Sequence, residues 1–380
     1  MKKLLSMLLA AAMLVSASAM AFAEGTSEKG TIVYGSSTEI GGDFAPSSWW
    51  TNNATDKMIR DLTNDYGVTV TNQGGEYVVN PTIAKNIESV VNPDGSKTFT
   101  VTINEGLTYN NGEAITAKDY VWSIVFSCSK VAMDVGAKMT GYLTYVGGQE
   151  YFDGKATAVS GVRLIDDYTY SVTIVPEKIP YFYDLAYVTD IPLSIKYWLG
   201  DAVEVKDDGE GCYFTDGFYN KTGDSFDMAA HIVASSNNTD TTYACSGPYV
   251  VESYDEGDKS AILTLNPNFP GNYEGAKPSI AKVIYKKSVS ATQLDDLKSG
   301  GVDVLMGITG GAETDEAVAA CDNSNGAFVY THYSRAGYGK LQFRNDYGPA
   351  QFTAVRQAIT YCLDRASFAK TFTGGYGGVV

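Results

Sequence analysis

The stretch Asn111-Gly112-Glu113-Ala114-Ile115-Thr116-Ala117-Lys118-Asp119-Tyr120-Val121 decides the fold. Asn110-Asn111-Gly112 marks a turn. Thr116 stands where a helix N-cap belongs, and Asp119 follows three residues later, the spacing of a capping box. Val121, Ile124, Val125, Cys128 and Val131 then form an apolar stripe of helical period. Strands flank this helix. Lys97 to Ile103 places Phe99, Val101 and Ile103 on one face. Tyr168 to Ile174 does the same with Tyr168, Tyr170, Val172 and Ile174. Both read as half-buried strands, introduced by the turns Asn92-Pro93-Asp94-Gly95 and Asp166-Asp167.

Outward from this centre, Gly30 to Tyr34 reads as a short strand and Gly41 to Asn53 as irregular chain. A helix is expected from near Thr55 through Leu62, and short strands at Val68–Thr71 and Glu76–Val79. Asp201 to Thr242 is rich in Gly, Asp, Asn and Ser and reads as a long loop or insertion. Strands resume at Tyr249–Ser253 and Ala261–Leu265, with a helix at Ala291–Lys298. Val355, Ala358, Ile359 and Cys362 give a last helical stripe. Strands and helices mix without a strict βαβ rhythm, which indicates an α/β or α+β architecture.

The N-terminus has the grammar of an export signal. Lys2 and Lys3 precede an apolar stretch from Leu4 to Val15, and Ala21-Phe22-Ala23 is a cleavage pattern. Lipid anchoring at such a site needs a Cys, and the first one is Cys128, so an exported, unanchored product is expected. The other end, Gly374 to Val380, follows directly on a helical pattern and reads as a domain cut short. The net charge is −16, and −18 once Lys2 and Lys3 are removed. Such a balance excludes a nucleic-acid partner, which needs clustered cations.

The five cysteines lack any C-x-x-C pair, which disfavours zinc and dithiol chemistry. Cys128 and Cys362 fall on apolar helix faces and read as core residues. Cys212 and Cys245 lie in loop-like sequence, where an exported protein can form a disulfide. His231 and His332 have no second ligand at helical or hairpin spacing, so no metal or other cofactor is expected. The 27 tyrosines and four tryptophans suit strands, and they also suit a broad small-molecule cleft.

Motifs in a fixed order carry a family resemblance. Pro81-Thr82-Ile83-Ala84, Asp94-Gly95 through Leu107, and Asn111 to Val121 come first. Gly161 to Thr169, Ile179-Pro180-Tyr181-Phe182-Tyr183, Ser246-Gly247-Pro248-Tyr249 and Leu265 to Phe269 follow. Gly300 to Val304, and Val355 to Ile359 with Asp364-Arg365, complete the set. The chain resembles the family 5 extracellular solute-binding proteins of ABC importers, which take oligopeptides, dipeptides or nickel. Ile179 to Tyr183 leans toward the oligopeptide branch. Asn111 and Ala114 depart from the family's Asp and Pro.

The resemblance implies an α/β, periplasmic-binding-protein-like two-lobed fold (type II, cluster C) with an extra domain in lobe one. Residues 1–23 would be the leader and 24–63 the first segment of lobe one. Residues 64–180 would be the inserted extra domain, 181–280 the second segment of lobe one, and 281–380 an incomplete lobe two. It implies a periplasmic or cell-surface monomer that captures short peptides between its lobes and hands them to the importer's permease subunits. By position, Asn52, Asn53, Ala54, Ser246 and Gly247 would contact the ligand. Trp49, Trp50 and Tyr142 join them as aromatic neighbours. The family's acidic residue for the ligand's amino end would fall beyond Val380.

Two rivals differ in class. One is the same fold with an oligosaccharide or another small solute, favoured by Trp49-Trp50 and the tyrosines. The other is a secreted hydrolase using Glu105 and Glu113 as acid and base. The bland reading of Glu105 and Glu113 is solvated loop carboxylates, and turnover of peptides or glycans separates enzyme from binder.

Overall fold

The computed structural model describes residues 30–44, 53–72, 74–134, 136–179, 183–200, 203–215, 243–332 and 339–379. Trp49, Trp50, Asn52, His231 and most of Ile179–Tyr183 lie outside them. The first half contains β1 (Thr31–Ser36), α1 (Ala54–Thr63), β2 (Thr69–Thr71), β3 (Tyr77–Val79), β4 (Ala84–Val91), β5 (Lys97–Ile103) and α2 (Ala117–Ser127). Then come α3 (Lys130–Asp134), α4 (Gly148–Phe152), β6 (Val162–Leu164), β7 (Thr169–Ile174), α5 (Ile195–Leu199), β8 (Val205–Asp207) and β9 (Cys212–Phe214). The remainder is β10 (Tyr249–Asp255), β11 (Ser260–Leu265), β12 (Lys282–Lys287), α6 (Gln293–Lys298), β13 (Val304–Met306), α7 (Gly311–Asp322), α8 (Thr353–Tyr361) and α9 (Arg365–Thr373).

The central stretch behaves as its sequence demands. The Asp119 carboxylate accepts the Thr116 N–H at 2.8 Å and the Thr116 hydroxyl at 3.1 Å, which fixes the start of α2. Tyr120, Val121, Trp122, Ile124, Val125 and Phe126 are buried along it. α2 packs on a four-stranded antiparallel sheet of order β4-β5-β7-β6. Phe99 pairs with Val172 and Val101 with Tyr170, so the alternating apolar faces of β5 and β7 fall in register. This first core runs in sequence from Tyr66 to Phe214 and takes in Ala244 and Phe269.

A second core lies under a five-stranded mixed sheet of order β10-β11-β12-β1-β13. β1 runs parallel to both β12 and β13, while β10, β11 and β12 form an antiparallel meander. Tyr34 stacks on its register partner Tyr285 at 5.1 Å. Ile59 of α1, Ile40 and Phe44 close this core together with Tyr249, Val251, Leu263 and Val283.

Side chains stitch the two cores together. Asn110 N–H donates to Cys245 O at 2.9 Å, and Cys245 N–H donates to Asn110 Oδ1 at 2.7 Å. On the first core's side of this junction, Asn268 Nδ2 donates to Tyr109 O at 2.9 Å, and Tyr120 donates its hydroxyl to Tyr66 O at 2.8 Å within that core. Tyr66 itself is held at φ 69°, a left-handed conformation that a bulky residue adopts only when its surroundings fix it. Its ring stacks on Phe269 and its hydroxyl donates to Asn268 O.

Three expectations change. Asp201–Thr242 is not wholly loop, because β8 and β9 form a hairpin within it, in register Val205↔Phe214. Val205, Cys212 and Phe214 bury themselves in the first core, which supplies the driving force that the polar composition concealed. Cys212 and Cys245 form no disulfide and are both free and buried, one in each core. Burial pushes the Cys245 thiol up to about 12. Cys362 is exposed rather than core, as is Ile359 on the same helix. The stripe on α8 therefore has the predicted period without a covering partner among the described residues.

Candidate functional site

α1 organises the region where the expected contacts fall. Asn53 caps its N-terminus, with Oδ1 accepting the Thr55 and Asp56 N–H groups at 2.9 and 3.1 Å. Its Nδ2 donates to Glu39 O at 2.7 Å. Both ends of the Asn53 amide are thus engaged by protein. Ala54 opens the helix and is exposed. Within α1, Asp56 and Arg60 are buried and turn toward the irregular chain at Gly41–Asp43. Burial is the largest influence on the Asp56 carboxyl and raises it, against the backbone N–H groups of Gly41 and Gly42.

Ser246 and Gly247 lie at the opposite end of the same helix. Ser246 Oγ donates to Asp65 O at 2.8 Å and accepts from Asp65 N–H at 3.1 Å. Gly247 N–H donates to Thr63 O at 2.9 Å, and Gly247 O accepts from Asn266 Nδ2 at 2.8 Å. Both residues are buried. The ten residues of α1 rise about 15 Å between the two groups. Tyr142 stands apart from both. It sits on a 3-10 turn, Gly141–Leu143, with its ring stacked on Phe152 at 4.2 Å against the first core.

The structure therefore places Asn53 and Ala54 at one end of α1 and Ser246 and Gly247 against its other end, and leaves Tyr142 against the first core. Sequence reasoning missed Asp43, Asp56 and Arg60. The available signal was Asp56 and Arg60 at i, i+4 on a helix beside a Gly-Gly pair, a spacing that puts two opposite charges on one face.

A depression of about 460 Å³ opens elsewhere, lined by Arg163, Leu164, Ile165, Ser171, Asp207 and Gly209. Arg163 grips Asp207 through Nε at 2.7 Å and Nη2 at 2.9 Å, and Asp207 also takes Leu164 N–H. The Arg163 guanidinium, acting against burial, holds the Asp207 carboxyl below its usual range. These charges satisfy each other and offer little to a ligand. Glu113 accepts from Ser194 Oγ at 3.1 Å and lies 3.5 Å from Lys196 Nζ, while Glu105 is exposed. No group of three or more His, Cys, Asp or Glu among the described residues could hold a metal ion. No helix of the described residues is long and apolar enough to cross a membrane.

A mixed sheet interrupted by a separate sheet-and-helix domain, with the two cores stitched along one seam, is the fold of the two-lobed periplasmic binding proteins. The sequence profile of the bacterial extracellular solute-binding proteins, family 5 (middle region), matches residues 79–380. The chain belongs to that family.

The oligopeptide-binding protein OppA of Lactococcus lactis is 24% identical over 291 residues, which are 74% of this chain and 43% of that protein. Lactococcal OppA, solved closed with an endogenous peptide, superimposes with a TM-score of 0.64 at 20% identity. That match covers 91% of this chain and 59% of the other. OppA of Haemophilus influenzae, solved with the peptide RPPGFSPFR, gives 0.63 at 18% identity, with 92% and 59% covered. The chain thus spans less than half of its lactococcal relative's length and about three fifths of each solved structure.

Proposed function

We propose that this protein is the exported capture subunit of an ABC importer for short peptides, and that it is a binder rather than an enzyme. The observation that carries the reading is the pairing of the family's ordered motifs with the OppA-type fold over nearly the whole described chain. In this reading a peptide stabilises a closed form by touching both lobes, and the permease subunits recognise that form. The protein works as a monomer outside the cytoplasm, released from a leader over residues 1–23.

The lobe-one contacts centre on the exposed N-terminal end of α1. Ala54 meets the ligand there, and Asn53 holds the start of the helix that presents it; Trp49, Trp50 and Asn52 are assigned to the ligand by the family resemblance alone. Ser246 and Gly247 act at the far end of α1, as the seat that fixes the helix. Tyr142 contributes from the inserted domain. The packing supports extending that domain from residue 64 to Phe214, because Val188, Trp198, Val205 and Phe214 all join its core.

Ligand carried through purification of the full-length protein, identified by mass spectrometry, tests this reading. Peptides of two to five residues are the expected result. Recovery of oligosaccharides in their place contradicts the peptide assignment.

A further inference from the structure

The chain passes between the two cores at two described places. It leaves the second core after Leu62 and enters the first at Tyr66, and it is back in the second at Tyr243 and Cys245. The two passages lie against each other. Gly247 N–H donates to Thr63 O, and Ser246 Oγ bonds both the N–H and the carbonyl of Asp65. Two adjacent crossings make a neck, the kind of place where one part of a molecule can swing against another. Here the neck is gripped at Tyr66.

Tyr66 is 1% exposed and sits at φ 69°. Gly or Asn adopts that conformation at little cost, whereas a bulky side chain raises the cost. The restraint comes from both sides. From the first core, the Tyr120 hydroxyl of α2 donates to Tyr66 O at 2.8 Å, and Asn80 Nδ2 donates to Gly67 O at 3.1 Å. From the chain leaving β11, Phe269 stacks on the Tyr66 ring with centroids 6.0 Å apart, and Asn268 O accepts the Tyr66 hydroxyl at 3.2 Å. That same chain is tied to the second passage, since Asn266 Nδ2 donates to Gly247 O at 2.8 Å. The turn by itself asks only for a residue that tolerates a positive φ. The buried ring, held between α2 and the chain after β11, is something the turn does not need. Strain of this kind persists where several contacts over-determine one geometry.

We propose that Tyr66 is a positioning residue that locks the neck, so that the two cores travel as one body when the protein captures its ligand. The ring joins α2 to the chain after β11, and Ser246 joins the two passages. With both in place, neither core turns about the neck alone. The role in capture rests on the function proposed above. The lock itself is measured without ligand, so the two can fail separately.

The test is the distance between the cores in the full-length protein, read by double electron–electron resonance between spin labels at Ser89→Cys on β4 and Glu256→Cys between β10 and β11. Both sites are exposed. Cys321→Ser and Cys362→Ser remove the accessible thiols among the described residues, and Cys128, Cys212 and Cys245 are buried. The wild-type neck should give one narrow distance, unchanged by an equimolar synthetic tetrapeptide library. Tyr66→Gly keeps the turn and loses the ring, and it should widen the distribution about twofold. Tyr66→Phe keeps the ring and should hold the wild-type width. A loss of stability alone lowers the unfolding midpoint and leaves this width as it was.

A folded Tyr66→Gly protein with the wild-type width overturns the lock, as does a wild-type distance that is broad or that shifts with peptide. Where Tyr66→Gly does not fold, Ser246→Ala carries the test. It removes both bonds to Asp65. The same widening is expected, and an unchanged width overturns the proposal.

Discussion

Gly247→Ala lowers stability by about 3 kcal/mol, at the upper end of overpacking effects. A Cβ at this position would stand 2.5 Å from both Leu62 O and Thr63 C, and 2.7 Å from Asn64 N. All three are backbone atoms at the C-terminal end of α1, so no side chain can swing aside. The Gly247 amide already donates to Thr63 O, and its carbonyl accepts from Asn266. Relief therefore requires the chain leading into β10 to move away from α1. Because Ser246 binds Asp65 through two hydrogen bonds, that movement also loosens the seam between the cores. Urea unfolding of wild type and variant checks the magnitude. A loss below about 0.5 kcal/mol, the range of neutral surface changes, would show that the close approach does not constrain the protein.

Asp190→Asn is expected to stabilise the protein at alkaline pH and to leave it nearly unchanged in acid. Asp190 has its Oδ2 buried without a hydrogen-bond partner among the described residues. Its charge would act on the buried hydroxyls of Tyr120, Tyr145 and Tyr170. Burial pushes its carboxyl up to about 7 from the ordinary 3.8. The folded state therefore favours the protonated acid. That preference stabilises the fold fully below the unfolded value near 3.8 and is lost as pH rises through about 7. Each pH unit of displacement is worth about 1.4 kcal/mol, so the gap between Asn and Asp should grow to about 4 kcal/mol by pH 8. Unfolding midpoints at pH 4, 6 and 8 measure it. Curves for the two proteins that run parallel across this range would remove Asp190 as the cause.

The fold was legible wherever one face of an element is buried. β5 and β7 alternate because one side meets α2, and the capping box at Thr116 and Asp119 marks where α2 begins. β4 carried no comparable signal. It is an edge strand with most residues exposed, so Ala84–Val91 shows no apolar period. The β8–β9 hairpin was hidden by the polar residues of its turn, although Val205, Cys212 and Phe214 point into the core. Cys362 illustrates the opposite failure. Helical periodicity fixes which residues share a face but not whether anything covers that face.

The candidate site was legible only in part. The N-capping use of Asn53 follows from its place before a helix, and the structure adds the bond to Glu39 that closes the chain segment. The commitments of Ser246 and Gly247 to Asp65, Thr63 and Asn266 join residues far apart in sequence, and no local pattern announces them. The strained Tyr66 at φ 69° likewise depends on Asn268, Phe269 and Tyr120, which tertiary contacts alone bring to it.

Small-angle scattering of the full-length protein, with and without the tetrapeptide library, measures the decisive property directly. Capture by lobe closure predicts a smaller radius of gyration when peptide is present, and a return to the open value when it is dialysed away. A radius that stays the same at saturating peptide, with binding confirmed by calorimetry, would contradict it.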